Sequence, residues 1–198
     1  MLKIYLVRHA ESKGNKKGIN LGSDLDPELS ENGKLQAEKL AGYFKDKNIS
    51  KIYSSDLARA FETARMIGKS VNINPKKTLL LRELKIGDWA GRKDVLEKWN
   101  SYYNKQVSKG IRRENIRPPG GENSWDHAKR VKEFIDSIKN EEGNIIVVAQ
   151  SGTNKVFLGI IEGKDPDDFY KIEQDSACIN ELEFNGKSWK ILRINKTL

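Results

Sequence analysis

Arg8 and His9 stand directly behind a short apolar run, Leu2 to Val7, and Gln150-Ser151-Gly152-Thr153 stand directly behind a second, Ile145 to Ala149. A neutral imidazole is a good acceptor for a phosphoryl group near neutral pH. An adjacent guanidinium can hold phosphate oxygens through directional, charge-assisted hydrogen bonds. A lone histidine is more often structural than reactive, so the pair acquires meaning only if the surrounding elements bring both clusters to one place. Ser151, at a strand-to-helix turn, also has the setting of a serine nucleophile. That chemistry needs a histidine later in the chain, and none follows Ser151.

The two apolar runs read as strands buried on both faces, suited to the centre of a parallel sheet. Between them Ala37, Leu40, Ala41 and Phe44 recur at helical spacing, as do Ala60, Ala64 and Ile67, and then Ala128, Val131, Ile135 and Ile138. Short strands are predicted over Lys51 to Tyr53 and Thr78 to Leu81, and a terminal hairpin over Ile179 to Phe184 and Ser188 to Ile194 around Asn185-Gly186. Alternating strands and helices that finish on β-structure predict an α/β fold. It should be a three-layer α/β/α sandwich with a mostly parallel sheet and one antiparallel addition. In such sheets ligands bind beyond the carboxyl ends of the strands, which is where both clusters sit.

The 198 residues fit a single domain spanning 1–198. No stretch approaches the length of a membrane span, and the start of the chain reads as a strand rather than a signal peptide, so a cytoplasmic protein with no membrane partner is expected. Cys178 is the only cysteine, which excludes a disulfide framework and a thiolate metal site. The net charge of +8 favours anionic ligands, but the lysines are scattered among acids and no stacking aromatic array accompanies them, so nucleic acid is not expected as a partner. A denser basic group, Lys109, Arg112, Arg113 and Arg117, lies before Pro118-Pro119-Gly120-Gly121. It suits a lid over 92–120 that faces substrate, or solvated charge.

The clusters extend into ordered motifs. Leu6-Val7-Arg8-His9-Ala10-Glu11-Ser12 with Asn15 resembles the signature of the histidine phosphatase superfamily, which includes the cofactor-dependent phosphoglycerate mutases; Ala10 and Ser12 stand where that family usually has glycine and threonine. Gly22 and Asp26 before Leu29-Ser30-Glu31-Asn32-Gly33, then Tyr53-Ser54-Ser55-Asp56-Leu57-Ala58-Arg59-Ala60, continue the resemblance. Leu81-Arg82-Glu83 with Gly87-Asp88-Trp89-Ala90-Gly91, and Pro119-Gly120-Gly121-Glu122-Asn123-Ser124, extend it further along the chain. One position departs sharply. Gln150 stands where the family has its second catalytic histidine, and a glutamine amide can donate one hydrogen bond to a phosphoryl oxygen but carries no charge.

The resemblance implies a phosphoglycerate mutase-like fold and a phosphomonoester hydrolase of the histidine acid phosphatase type, working without metal or other cofactor. His9 would accept the phosphoryl group as phosphohistidine, Arg8 and Arg59 would clamp the phosphate, and Glu83 would serve as proton donor to the leaving alkoxide. Ser12, Asn15, Gly22, Ser151 and Gly152 complete the expected substrate-binding set. Ser12 and Asn15 alternatively cap a turn, Arg59 alternatively forms a salt bridge, and Glu83 alternatively pairs with Arg82. Ser151 is expected as a helix cap that also donates to phosphate. Glu122 is expected chiefly as a helix cap and alternatively as a residue facing the pocket, and His127 as a structural residue. The expected partner is a small phosphomonoester or inorganic phosphate, with Trp99, Tyr102 and Tyr103 able to contact its leaving group; nothing in the sequence sets the oligomeric state. Two other functions share these residues: a mutase-type phosphotransferase, and a phospholigand-binding protein whose turnover is impaired by Gln150.

Overall fold

The computed structural model describes residues 1–198, the side chain of Asp167 excepted. Six strands form one sheet in the order β3-β2-β4-β1-β5-β6, where β1 is Leu2–Arg8, β2 Ile49–Ser55, β3 Lys76–Thr78, β4 Gly143–Ala149, β5 Ile179–Phe184 and β6 Trp189–Lys196. The first four run parallel, and the terminal hairpin adds β5 antiparallel to β1. The strand expected over Thr78 to Leu81 lies earlier in the chain. Only Lys76–Thr78 pairs with β2, and Leu79–Leu81 turns into a 3-10 helix started by the Thr78 hydroxyl, which accepts from the Leu80 amide. Three leucines at an exposed sheet edge pack better as a turn that buries Leu81 than as a strand.

Side-chain alternation on the central strands divides the core in two. Leu2, Ile4 and Leu6 of β1 with Ile145 and Val147 of β4 face α5 (Ser124–Ile138) and α6 (Ser151–Ile161). Tyr5 and Val7 with Ile146 and Val148 face α2 (Glu31–Phe44) and α3 (Ala58–Val71). The apolar positions read at helical spacing supply these inner faces: Ala37, Leu40 and Phe44 in α2, Ala60, Ala64 and Ile67 in α3, Val131, Ile135 and Ile138 in α5. Side-chain caps start both α2 and α5. Ser30 accepts from the Gly33 amide at 3.0 Å, and Asn123 accepts from the Asp126 amide at 2.9 Å while Asp126 reaches back to the Asn123 amide. The cap of α5 is therefore Asn123 and not Glu122.

β1 and β4 are neighbours, with Arg8 opposite Ala149. The chain leaves β1 toward α2 on one face of the sheet and leaves β4 into α6 on the other. Adjacent parallel strands whose following helices diverge open a crevice at their carboxyl ends. His9 and Gln150 are the first residues past those ends. The short α1 (Lys13–Lys16), the 3-10 turn Gly87–Trp89 and α4 (Val95–Val107) lie in the connections.

Candidate active site

A cleft of about 880 Å³ opens at this crevice, and Arg8, His9, Asn15, Gly22, Arg59, Glu83, Ser151 and Gly152 all line it. The backbone locks His9 in place: its amide donates to the Ala149 carbonyl at 2.9 Å and its carbonyl accepts from the Ala177 amide at 3.2 Å. The ring nitrogen Nδ1 lies 2.7 Å from the Ala10 carbonyl oxygen. A carbonyl can only accept, so Nδ1 carries the proton and the lone pair of the neutral ring sits on Nε2. Burial first, then the charges of Arg59 and Arg8, hold the His9 pKa well below 6.5. The ring is therefore neutral at physiological pH, with its nucleophilic nitrogen fixed by the tautomer.

Both arginines are anchored through one end of the guanidinium. Arg8 donates from Nη1 to the Gln174 carbonyl at 2.6 Å. Arg59, almost fully buried, donates to the Gly22 carbonyl at 2.8 Å and the Leu25 carbonyl at 2.9 Å. Gly22 makes that approach with a φ of 55°, and a Cβ there would lie 2.9 Å from the Leu84 carbonyl oxygen and 2.7 Å from Ile86. The Nε atoms of Arg8 and Arg59 are buried with no hydrogen-bond partner in the protein, as is Nε2 of Gln150. A buried donor without a partner carries a desolvation cost of about 1–3 kcal/mol, more when charged, which an anion accepting from it would remove.

Glu83 is set from three sides. Its two oxygens accept from the Leu84 amide at 2.8 Å and the Gly152 amide at 2.9 Å. Gly152 is one of the first residues of α6, and a Cβ on it would come within 2.3 Å of the carboxylate. Arg130 holds the preceding backbone through the carbonyls of Arg82 at 2.5 Å and Glu83 at 2.9 Å. Arg82 itself is committed elsewhere, in a two-bond pair with Asp56 at 2.8 and 2.6 Å. Glu83 therefore meets the cleft without an arginine clamped on it, and it occupies the amide of Gly152, a residue expected to bind substrate.

Other expected residues fall differently. Ser12 is buried as the cap of α1, with its hydroxyl donating to Asn15 Oδ1 at 2.7 Å, so it buttresses Asn15 instead of lining the cleft. Gln150, not Ser151, is the cap residue of α6, and it makes no side-chain cap bond. It is fully buried at the strand end adjacent to that of His9. Glu122 pairs with Arg130 at 3.0 Å. From the basic group, Arg113 lines the cleft whereas Lys109, Arg112 and Arg117 do not, and Arg117 is bonded to Asp126 at 2.6 Å. Trp99 and Tyr103 line it too, while Tyr102 packs edge-on against Trp89. Lys155, Trp125 and Tyr170 join the lining unforeseen. Lys155 sits one helical turn after Ser151 on the same side of α6, a spacing that could have exposed it in the sequence.

His127 is buried in a structural network, with Nδ1 3.1 Å from the Tyr170 hydroxyl and Nε2 3.1 Å from the Thr153 hydroxyl. Burial, followed by the charge of Arg130, holds its pKa well below 6.5. Each of the two histidines titrates near 6.5 when unfolded, so below that pH the unfolded chain binds up to two protons more than the folded one. Their contribution to stability should be fully present above about pH 7.5 and fall as pH drops through 6.5, with a slope of about 2.5 kcal/mol per pH unit near pH 5.5. Urea midpoints measured between pH 8 and 5.5 test this, and a flat profile would contradict two buried neutral rings.

The sequence model of the histidine phosphatase superfamily (branch 1) matches residues 4–197. The chain belongs to that superfamily. Among its superfamily relatives, phosphoserine phosphatase 1 of Hydrogenobacter thermophilus is 31% identical over 201 residues, covering 100% of this chain and 93% of the relative. The 2,3-bisphosphoglycerate-dependent phosphoglycerate mutase of Thermoplasma acidophilum is 35% identical over 179 residues, covering 90% and 85%. A phosphoserine phosphatase of Entamoeba histolytica, solved in complex with 3-phosphoglyceric acid, superposes with a TM-score of 0.81 at 22% identity over 100% of this chain and 98% of that one. This member of the superfamily thus shares the phosphoglycerate mutase-like fold over its whole length. No helix among its described residues is long and apolar enough to cross a membrane.

Proposed function

We propose that the protein is a phosphomonoesterase that transfers the phosphoryl group to His9 and then to water. One observation carries this reading: His9, whose Nδ1–H···O=C bond to Ala10 leaves Nε2 unprotonated, lines the cleft together with Arg8 and Arg59, whose Nε atoms are buried without a partner. The phosphate of the ester accepts from Arg8 and Arg59, and Asn15 lies where its amide can add a neutral donor. The Nε2 lone pair forms a bond to phosphorus as the ester P–O bond breaks, and the Nδ1–H···O=C bond to Ala10 stabilises the positive charge that develops on the ring. The Glu83 carboxyl hands its proton to the departing alkoxide. As a carboxylate it then takes a proton from water, whose oxygen displaces His9 from phosphorus and returns the ring to its starting state. Every atom moved in the cycle is accounted for by substrate, water, His9 and Glu83.

The relatives include phosphatases and a mutase, and in this reading both outcomes would begin from phosphorylated His9. A mutase would return the phosphoryl group to a second hydroxyl, which isomerisation dependent on a bisphosphorylated primer would reveal. For the hydrolytic reading, Glu83→Gln keeps the shape of the side chain and removes the transferable proton. The turnover number should fall about 100-fold or more, while inhibition by inorganic phosphate changes by less than about threefold, because a proton donor acts mainly in the transition state. Equal losses of turnover and phosphate affinity would make Glu83 a structural residue and leave the cycle without its acid.

A further inference from the structure

The charged residues occupy only part of the cleft. Trp89, Leu96, Trp99, Tyr103 and Trp125 line another part, and α4 supplies three of them. α4 has thirteen residues and an apolar row, yet none of them is buried, and Leu96 is 70% exposed while lining the cleft. Apolar side chains at i, i+3 and i+7 normally face a core. Here Leu96, Trp99 and Tyr103 face the space in front of the reactive histidine. Trp99 stands edge-on to Trp89 at 6.1 Å and tilted to Tyr103 at 5.6 Å. Trp125, at the start of α5, has no ring neighbour among the described residues.

We infer that the substrate is a phosphomonoester of a large, flat, ring-bearing alcohol, whose ring system is held by the wall of Trp99, Tyr103, Leu96 and Trp125. This rests on the phosphatase reading of the same site. Size and chemistry both support it. A volume of about 880 Å³ far exceeds what a phosphate with a two- or three-carbon leaving group would fill, and a small polar alcohol would leave the aromatic surface in contact with water. A planar ring removes that surface from water and gains stacking, and rings are attached to the same cleft that holds the phosphate, so one molecule can reach both.

The test compares two esters of primary alcohols, 2-naphthylmethyl phosphate and ethyl phosphate, in which the chemistry at phosphorus is nearly the same. The ratio of their kcat/KM values should be on the order of 100 in favour of the naphthyl ester. Trp99→Ala should lower that ratio about tenfold. Leu96→Asn, at a site too exposed to endanger folding, should lower it in the same direction. A ratio near one in the unaltered protein, or a ratio that neither variant moves, overturns the proposal while hydrolysis of both esters keeps the phosphatase reading. If neither ester is turned over, the phosphatase reading falls, and quenching of tryptophan fluorescence decides the proposal alone: the naphthyl ester must bind about tenfold or more tighter than the ethyl ester, or it is overturned. A dimer that Leu96→Asn dissociates, with the ester ratio unchanged, would assign the face to a second copy of the chain and likewise overturn it.

Discussion

His9→Ala should eliminate hydrolysis of any phosphomonoester and, with it, the acid-labile phosphoenzyme. The expected loss is about 10⁴-fold or more, since the covalent route disappears and only bound-state positioning remains. No other group can take over. Gln150 offers an amide without nucleophilic character, Ser151 has no base behind it, and His127 has both nitrogens engaged with Tyr170 and Thr153. Removing a buried neutral ring should also leave a fold able to bind phosphate, because Arg8 and Arg59 are anchored by the carbonyls of Gln174, Gly22 and Leu25 and not by His9. Single-turnover incubation with labelled ester, followed by acid and alkaline treatment, reads the intermediate directly. Turnover in His9→Ala at the level of the unaltered protein would remove the mechanism.

Gln150→His should move the rate the other way. Gln150 directly follows β4, its side-chain Nε2 is buried without a partner, and its Oε1 is 3.5 Å from the Thr153 hydroxyl. It can offer the transferring phosphoryl group one neutral hydrogen bond. An imidazole there, protonated once a phosphate dianion is bound beside it, would add charge in a partly dehydrated setting, where electrostatic stabilisation is strongest. The absence of one well-placed donor commonly costs about 100- to 1000-fold, so hydrolysis of an aryl phosphate should rise by roughly one to three orders of magnitude. Phosphate affinity should change less, because the arginines already hold the ground-state anion. If the parent is fast and the variant gains nothing, glutamine is a competent substitute. If the parent binds phosphate without turning over and the variant turns over rapidly, Gln150 is what converts this family member into a phospholigand-binding protein.

The two central strands and the inner faces of α2, α3 and α5 were legible in the sequence, because buried strands and helices carry periodic apolar patterns that a single chain displays without its neighbours. The edge was less legible. Lys76–Thr78 has too few residues for a period to show, and the leucines after it read equally as strand or turn until the packing of Leu81 decides. The same division holds at the site. Arg8, His9, Arg59 and Glu83 were recognisable from residue type and motif spacing, and all four line the cleft.

What each of them does there depended on partners far away in the chain. Hydrogen-bond direction belongs to a pair of groups, and the pairs here are Arg59 with Gly22, Glu83 with Gly152, and Arg82 with Asp56, separated by 37, 69 and 26 positions. Thus the sequence by itself determined the α/β class and the two strand ends at which the cleft opens. Only the tertiary structure decided that Ser12 buttresses Asn15 from outside the cleft, that Lys155 and Trp125 enter it, and that the apolar row of α4 faces substrate space and not the core. Periodicity tells that a helix has an apolar face. What that face meets is set by contacts between segments distant in sequence, and these exist only once the chain has folded.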